Sequence, residues 1–245
     1  MESTRRRLLM GIGVYSAGFL LNACTRGQKA LPEKTTTGDE GEKSSEEVTA
    51  TEDLMREHGV LRRALLAYAE AVPKLRGNPS SVMPDMLQRT ARLFRAFGED
   101  YHEKKLEETY IFPAVKRAGG QLSGLTGILI LQHQRGRAIT DYILTVTKGS
   151  KIDPSDTEPL AKTLESFVLM YQNHAAREDT IVFPAWKQVL TAKQYDEMGD
   201  KFEDIEHQQF GEDGFEKAVL EISEIEKGLG FADLAQFTSP PPPAR

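Results

Sequence analysis

The sequence has few cysteines, no excess of positive charge and no glycine-rich loop, and each of these shortages excludes a class of function. It has a single cysteine, Cys24, so it can form neither an intramolecular disulfide nor a zinc site built from cysteines. A formal net charge of −6 argues against nucleic acid as the main partner. The sequence has no glycine-rich phosphate-binding loop, so nucleotide chemistry is unsupported. Histidine and carboxylate side chains remain as the groups that could carry chemistry.

The longest apolar run lies near the N-terminus, where it resembles an export signal. Three arginines at 5–7 precede an apolar run over 8–23, which is too short to span a bilayer but suits a signal-peptide core. The stretch TRRRLLM resembles a twin-arginine signal, and LNAC resembles a bacterial lipobox, although Asn22 is unusual there. We therefore expect residues 1–24 to be signal peptide and lipobox, with Cys24 lipidated. An uncleaved anchor or a plain secretory signal is the alternative.

Two further segments lack the composition of a folded domain. Residues 25–50 contain no aromatic side chain and mix Thr, Ser, Gly and charge, which predicts a flexible tether. The C-terminal SPPPPAR predicts an extended tail over 231–245. The folded domain is then expected over 51–230.

That domain shows helix signals and no strand signals. Three N-terminal capping boxes are predicted, at Thr49 with Glu52, Ser155 with Glu158 and Thr191 with Gln194. Apolar spacing predicts four main helices, with two more over 191–210 and 215–228. The four run from Thr49 to Pro73, Pro84 to Pro113, Ser123 to Val146 and Ser155 to Pro184. Because the connections are short, we expect an all-α fold, an antiparallel up-down-up-down four-helix bundle with one or two extra C-terminal helices.

One short segment occurs almost twice. Residues 107–114 are EETYIFPA and residues 178–185 are EDTIVFPA, and a histidine precedes each copy, His102 and His174. We interpret the Phe-Pro pairs as helix stops. The two copies differ upstream, where the step from His102 to Glu107 is one residue longer than the step from His174 to Glu178.

Four of the five histidines are predicted to lie at one depth in the bundle. His58 and His133 stand 9 and 10 residues after predicted helix starts, and His102 and His174 stand 11 and 10 residues before predicted helix ends. At ~1.5 Å per residue, all four lie roughly 14–17 Å below the same end of the bundle. His207 reaches that level only if the fourth helix continues beyond Pro184.

Imidazole and carboxylate ligands together suit iron, zinc or manganese. Glu178 stands four residues after His174, so both side chains can point into one cavity. Arg137, one turn after His133, is either a supporting partner of that histidine or a surface charge.

This order and spacing of residues, with the two Phe-Pro endings, resembles the haemerythrin-like (HHE) cation-binding domain over roughly residues 50–190. The resemblance implies a non-haem di-iron centre within a four-helix bundle, iron being preferred to zinc or manganese. It implies that Glu107 and Glu178 bridge the metals and that His58, His102, His133 and His174 are terminal ligands, with His207 as a candidate fifth histidine. A ferritin-like di-iron oxidase would need two E-x-x-H pairs, and only Glu99 with His102 provides one.

The five-residue step from His102 to Glu107 departs from the family pattern. On an ideal α-helix it places the two side chains ~140° apart. A single π-bulge within HEKKLE would restore their convergence. Otherwise Glu103 could replace Glu107 as a ligand, with Glu108 a further substitute, or this half of the site could be degenerate and only one metal would bind.

We therefore expect an exported protein, held by a lipid at Cys24 on the periplasmic or outer side of a membrane. It would bind O2 or a related small oxidant, NO or peroxide, for sensing, storage or detoxification. Whether it is also an enzyme, such as a peroxidase or nitric oxide reductase, stays open. The alternative is a helical surface lipoprotein whose structural or single-metal site, holding zinc or iron, serves an interaction module. The sequence identifies no protein partner.

Overall fold

The computed structural model describes residues 48–120, 122–211 and 214–243. The chain divides into two units, Met1–Val48 and Thr49–Arg245. The expected signal peptide with Cys24, and the expected tether up to residue 47, lie outside the described residues. The structure therefore leaves the expected lipid anchor as a prediction.

The described residues are helical and contain no strand, which confirms the all-α prediction. In chain order, the main helices and π-helical segments are α1 (Ala50–Gly77), α2 (Pro84–Leu93), the first π segment (Phe94–Ile111), α3 (Phe112–Ala118), α4 (Leu122–Val146), α5 (Thr157–Arg177), the second π segment (Glu178–Val182), α6 (Phe183–Gln188), α7 (Ala192–Phe210) and α8 (Gly214–Leu229). Short 3-10 turns lie at Pro79–Ser81 and Leu234–Phe237.

The prolines do not end the helices where the sequence predicted. Helix α1 continues past Pro73 to Gly77, because the loss of one backbone donor near the end is offset by burial of Leu75 in the core. Pro113 and Pro184 each stand in the first turn of a new α-helix that follows a π segment directly. A proline costs little in a first turn, where the backbone N–H has no intrahelical partner. The Phe-Pro pairs therefore mark a change of helix type and not a stop.

Of the three predicted capping boxes, one is confirmed in full and one for a single hydrogen bond. The Thr191 side chain and the Gln194 side chain form a complete capping box, and the Thr49 hydroxyl accepts from the Glu52 backbone N–H. The Ser155 prediction is wrong, because Asp156 is the N-cap of α5 and the Ser155 hydroxyl instead donates to Asp153. The Asp153 side chain, two residues before Ser155, is the nearer acceptor and offers a local turn.

The core lies where the helices of the two halves of the domain meet. Helix α1 packs along α5, and both the first π segment and α5 pack against α4. Helices α7 and α8 pack on α1, and α8 also packs on α2. Large side chains such as Phe94, Phe97 and Phe167 are fully buried in this core. This packing brings buried faces of α1, the first π segment, α4 and α5 together around one interior region.

Among the described helices, none combines the length and the apolar character that crossing a membrane requires.

Candidate metal centre

Four histidines from four elements meet in that interior region as two pairs. His58 on α1 and His102 on the first π segment are both buried, with their Nε2 atoms 3.0 Å apart. His133 on α4 and His174 on α5 form the second pair, with their Nε2 atoms also 3.0 Å apart. We call these the first and second histidine pairs. Every ring directs Nε2 inwards, so the two pairs face a common centre.

Two buried carboxylates lie between the pairs. Glu107 places one oxygen 3.4 Å from His102 Nε2 and the other 3.4 Å from His133 Nε2. Glu178 places one oxygen 3.0 Å from His174 Nε2 and the other 3.6 Å from His58 Nε2. Each carboxylate therefore spans from one histidine pair to the other.

The outward-facing nitrogen of each histidine has an oxygen partner. These oxygens come from residues adjacent in sequence to another member of the centre. The four contacts are His58 Nδ1 to Asp179 Oδ1 at 2.6 Å, His102 Nδ1 to Glu57 Oε2 at 2.6 Å, His133 Nδ1 to Glu108 Oε1 at 2.9 Å and His174 Nδ1 to Gln132 Oε1 at 2.8 Å. Because an oxygen at this position accepts a hydrogen bond, Nδ1 carries a proton, and each ring that is otherwise unprotonated presents a lone pair at Nε2.

This arrangement leaves strong acceptors facing one another without a donor. None of the four oxygens of Glu107 and Glu178 receives a hydrogen bond from the described residues, although all are buried. A buried acceptor without a partner costs about 1–3 kcal/mol, and more when charged. A cation at each histidine pair would satisfy the carboxylate oxygens and the Nε2 lone pairs together. The residues present therefore fit a centre for two cations.

The donor atoms also meet a distance test for such a centre. Three groups of donors have all their ligand atoms within 4.8 Å of one another: His58, His102 and Glu107; Glu107, His133, His174 and Glu178; and Glu103, Glu108 and His133. The first two groups share Glu107, as a bridging carboxylate would require, and the third lies on the Nδ1 side of His133.

Burial in the absence of a cation shifts the pKa values of these groups strongly. Burial raises the pKa of Glu178, and the negative charge of Glu107 raises it further, well above the usual range. Burial also acts on Glu107, but the positive charges of His102 and His133 hold its pKa well below the usual range. Burial and the charge of His133 lower the pKa of His174 to about 4. Glu178 therefore holds a proton more tightly than Glu107 does, and a cation bound between the two carboxylates would compete with that proton.

The first π segment explains how the longer copy of the repeat still converges. In each copy the backbone N–H of the phenylalanine donates five residues back, Phe112 to the carbonyl of Glu107 and Phe183 to that of Glu178. Hydrogen bonds of this span bring residues five apart onto one face. The π-helical stretch covers Phe94–Ile111, longer than the single bulge that the sequence suggested. Glu107 consequently reaches the centre despite the five-residue step from His102.

The repeated phenylalanines pack on histidines of the opposite pair. The Phe112 ring stacks on His133 with centroids 5.4 Å apart, and the Phe183 ring stacks on His58 at the same distance. Each copy of the repeat thus delivers a carboxylate to the centre and a ring that fixes the orientation of one histidine. This shared task accounts for the constant spacing from the glutamate to Phe-Pro.

Three other candidate residues take different positions. Glu103 accepts hydrogen bonds from the Tyr171 hydroxyl at 2.7 Å and from Arg137 at 3.2 Å, and one of its oxygens lies 3.9 Å from Nδ1 of His133. Glu108 supports His133 from the outside, where it also accepts from Arg137. The structure does not bring His207 into any of these donor groups, because α7 packs on the outside of α1 and the first π segment.

The sequence interpretation missed four supporting residues: Glu57, Arg62, Gln132 and Asp179. A signal for them was present, because a Glu or Gln precedes His58 and His133, and an acidic residue follows Glu107 and Glu178. An arginine also stands four residues after each of those histidines, Arg62 on Asp179 and Arg137 on Glu108.

Comparison with known proteins agrees with this geometry. Residues 49–186, more than half of the chain, match the family model of the hemerythrin HHE cation-binding domain. The chain is 43% identical over 235 residues to uncharacterized protein Rv1995 of Mycobacterium tuberculosis, with 95% of this chain and 90% of the relative covered. Uncharacterized protein Mb2018 of Mycobacterium bovis shows the same identity and coverage. No solved structure matches the chain. The chain therefore belongs to the hemerythrin HHE cation-binding domain family.

Proposed function

We propose that the protein is a non-haem di-iron protein that binds O2 or a related small oxidant, NO or peroxide, inside an up-down-up-down four-helix bundle. The observation that carries the proposal is the set of buried acceptors without donors, four carboxylate oxygens beside two facing pairs of imidazole nitrogens. His58, His102 and the two glutamates would hold one iron. His133, His174 and the same two glutamates would hold the other.

The donor set favours iron over manganese. Four imidazoles suit iron better than manganese, which prefers oxygen ligands. The Nε2 atoms of each pair are 3.0 Å apart, so that one cation could contact both nitrogens of a pair.

The pocket beside the histidines restricts what can bind. It lies between α1, the first π segment and α5, and Leu61, Leu65 and Phe94 form its apolar wall. It has room for about one water-sized molecule. A diferrous pair, when bound, would supply two electrons to an oxidant. The chain itself would select a diatomic or similarly small ligand by size and would exclude bulk water from it.

We also propose that the protein is exported and lipid-anchored at Cys24, where it would act at the cell envelope in sensing, storage or detoxification. The support is the arginine cluster at 5–7, the apolar run over 8–23 and the stretch LNAC. Twin-arginine export moves folded proteins, so the iron could be loaded before zinc or copper competes for the site. The variant Cys24→Ser should move the protein from the membrane fraction to the soluble fraction, and unchanged membrane association would contradict the anchor.

The test of the metal proposal uses purified protein reconstituted anaerobically with ferrous iron. We expect about two irons per chain by elemental analysis, and uptake of O2 in proportion to the iron content. Failure to retain any iron would contradict the proposal. A single tightly held zinc that iron cannot replace would support the alternative of a structural site in an interaction module. Repeated turnover of peroxide or NO would identify the protein as an enzyme using the same centre.

A further inference from the structure

We propose that the two metal positions are unequal, the first histidine pair (His58 and His102) binding a divalent cation more tightly than the second pair (His133 and His174). The inference rests on the proposed function, since it assumes that both positions bind metal. Its basis is a difference between the residues that hold the Nδ1 atoms of the two pairs.

One difference is the partner of the second histidine in each pair. His102 donates to a carboxylate, Glu57, which is itself buried. His174 occupies the equivalent place on α5 but donates to an amide, the side chain of Gln132. A carboxylate draws the Nδ1 proton more strongly than an amide oxygen does, which leaves more electron density on Nε2. His102 is therefore the stronger ligand of the two.

A second difference lies in how the other supporting carboxylates share their hydrogen bonds. Asp179 divides its oxygens, Oδ1 accepting from His58 and Oδ2 from Arg62. Glu108 uses the same oxygen, Oε1, for both His133 and Arg137, at 2.9 and 2.8 Å. An oxygen shared with a guanidinium is a weaker acceptor for the histidine. His133 is therefore supported less strongly than His58.

The anchoring of the carboxylates adds to the same difference. The other oxygen of Glu57 accepts from the Tyr101 hydroxyl at 3.0 Å, so that this carboxylate is fixed at both ends. Glu103, which also lies near the second pair, has an oxygen 3.9 Å from His133 Nδ1, but its hydrogen bonds go to Tyr171 and Arg137. It does not replace the missing carboxylate at His174. Both histidines of the first pair thus have stronger support than their counterparts.

The chain's own pseudo-symmetry supplies the experiment. Metal-free full-length protein is titrated anaerobically with ferrous iron in a calorimeter. We expect two binding steps whose dissociation constants differ by about 10-fold or more, the range that outer hydrogen-bond partners of metal ligands control. Glu57→Gln should weaken only the tighter step, by about 10-fold or more, and bring the two steps together. Gln132→Glu should tighten only the weaker step.

A control and clear failures accompany this titration. Gln134→Glu adds the same charge on α4 at an exposed position, two residues from Gln132, and it should leave both steps unchanged. Two equal steps in the wild-type protein, or no response to either exchange of Glu and Gln, would overturn this inference while leaving the di-iron proposal intact. Absence of any iron binding would instead overturn the proposed function. If Glu57→Gln does not fold, as judged by circular dichroism, the response of Gln132→Glu alone decides.

Discussion

The two halves of the metal centre use the same kinds of residue in the same order, yet they differ at several positions. Each half has a Glu or Gln before its first histidine, an arginine four residues later, and a glutamate followed by an acidic residue. In the first half, Glu107 stands five positions after His102, Glu57 precedes His58, and Glu103 follows His102. In the second half, Glu178 stands four positions after His174, Gln132 precedes His133, and Ala175 follows His174. Both halves direct two imidazole nitrogens at the same two carboxylates, although Glu178 lies closer to His174, at 3.0 Å, than to His58, at 3.6 Å. The other differences lie in the residues that support the histidines.

This comparison shows how a helix can accept an extra residue without losing a site. The first half places its histidine and glutamate within a π segment, whereas in the second half the π segment begins only at Glu178. The five-residue and four-residue steps then end in similar positions, with glutamate oxygens 3.4 and 3.0 Å from the histidine Nε2 atoms. The helix type compensates for the spacing.

The largest effect is expected from a change that removes a ligand common to both halves. Glu178→Gln should remove most iron binding, because an amide cannot bridge two cations as a carboxylate does. The metal-free protein should keep its stability within about 1 kcal/mol, since burial raises the pKa of Glu178 and disfavours its charged form, and a neutral amide has nearly the same shape. Elemental analysis and thermal unfolding of the metal-free protein measure the two results. Full iron content in the variant would show that Glu178 is not a ligand.

The next prediction concerns the number of residues between the histidine and the glutamate in each half. Deleting Lys105 should preserve iron binding, because the π segment can revert to α-helix and give the four-residue step of the second half. Deleting Arg177 should weaken iron binding strongly, because the loss of one residue turns Glu178 about 100° around the helix relative to His174. Both residues are exposed and each lies between a histidine and its glutamate, so the deletions are matched. Iron content per chain is the measurement, and equal losses in the two variants would show that the π segment does not absorb the extra residue.

The smallest effect concerns a carboxylate that only the first half contains. Glu99 stands three residues before His102, where the second half has Tyr171. Burial raises the pKa of Glu99 to about 7 from its usual 4.5, against the hydrogen bond from Thr140. Because the folded state holds this proton more tightly than the unfolded state, the contribution to stability is present below pH 4.5 and is lost as the pH rises through 7.

Replacing Glu99 should remove that pH dependence. Glu99→Gln should stabilise the metal-free protein relative to the wild type by roughly 1–3 kcal/mol at pH 8, and by much less at pH 5. Urea unfolding at the two pH values gives the comparison. A difference between variant and wild type that is the same at both values would contradict a raised pKa at this position.

Much of the domain could be predicted from the sequence because its signals are local. Helical spacing located the helices, and the depth of His58, His102, His133 and His174 predicted that their rings would share one level. The helix ends at Pro73 and Pro113 were predicted wrongly, because a proline interrupts a helix only where its backbone N–H is needed. At Pro184 the prediction left continuation open, and the helix does continue to Gln188. The extent of the first π segment was not predictable, since a π turn forms only where tertiary contacts stabilise it.

The supporting residues needed the structure for a different reason. Glu57 directly precedes His58 but accepts a hydrogen bond from the ring of His102. Gln132 directly precedes His133 but accepts one from the ring of His174, so each contact joins two different helices. Such contacts follow from helix packing and not from spacing within one helix. His207 shows the converse, since agreement in depth along the chain did not bring α7 into the centre.

Anomalous X-ray scattering at the iron edge, from crystals of the iron-loaded protein, tests most directly whether the two halves together form a di-iron centre. We expect two peaks inside the domain, one beside the Nε2 atoms of His58 and His102 and one beside those of His133 and His174, with Glu107 and Glu178 between them. A single peak, or peaks away from these histidines, would show that the two halves do not form a di-iron centre.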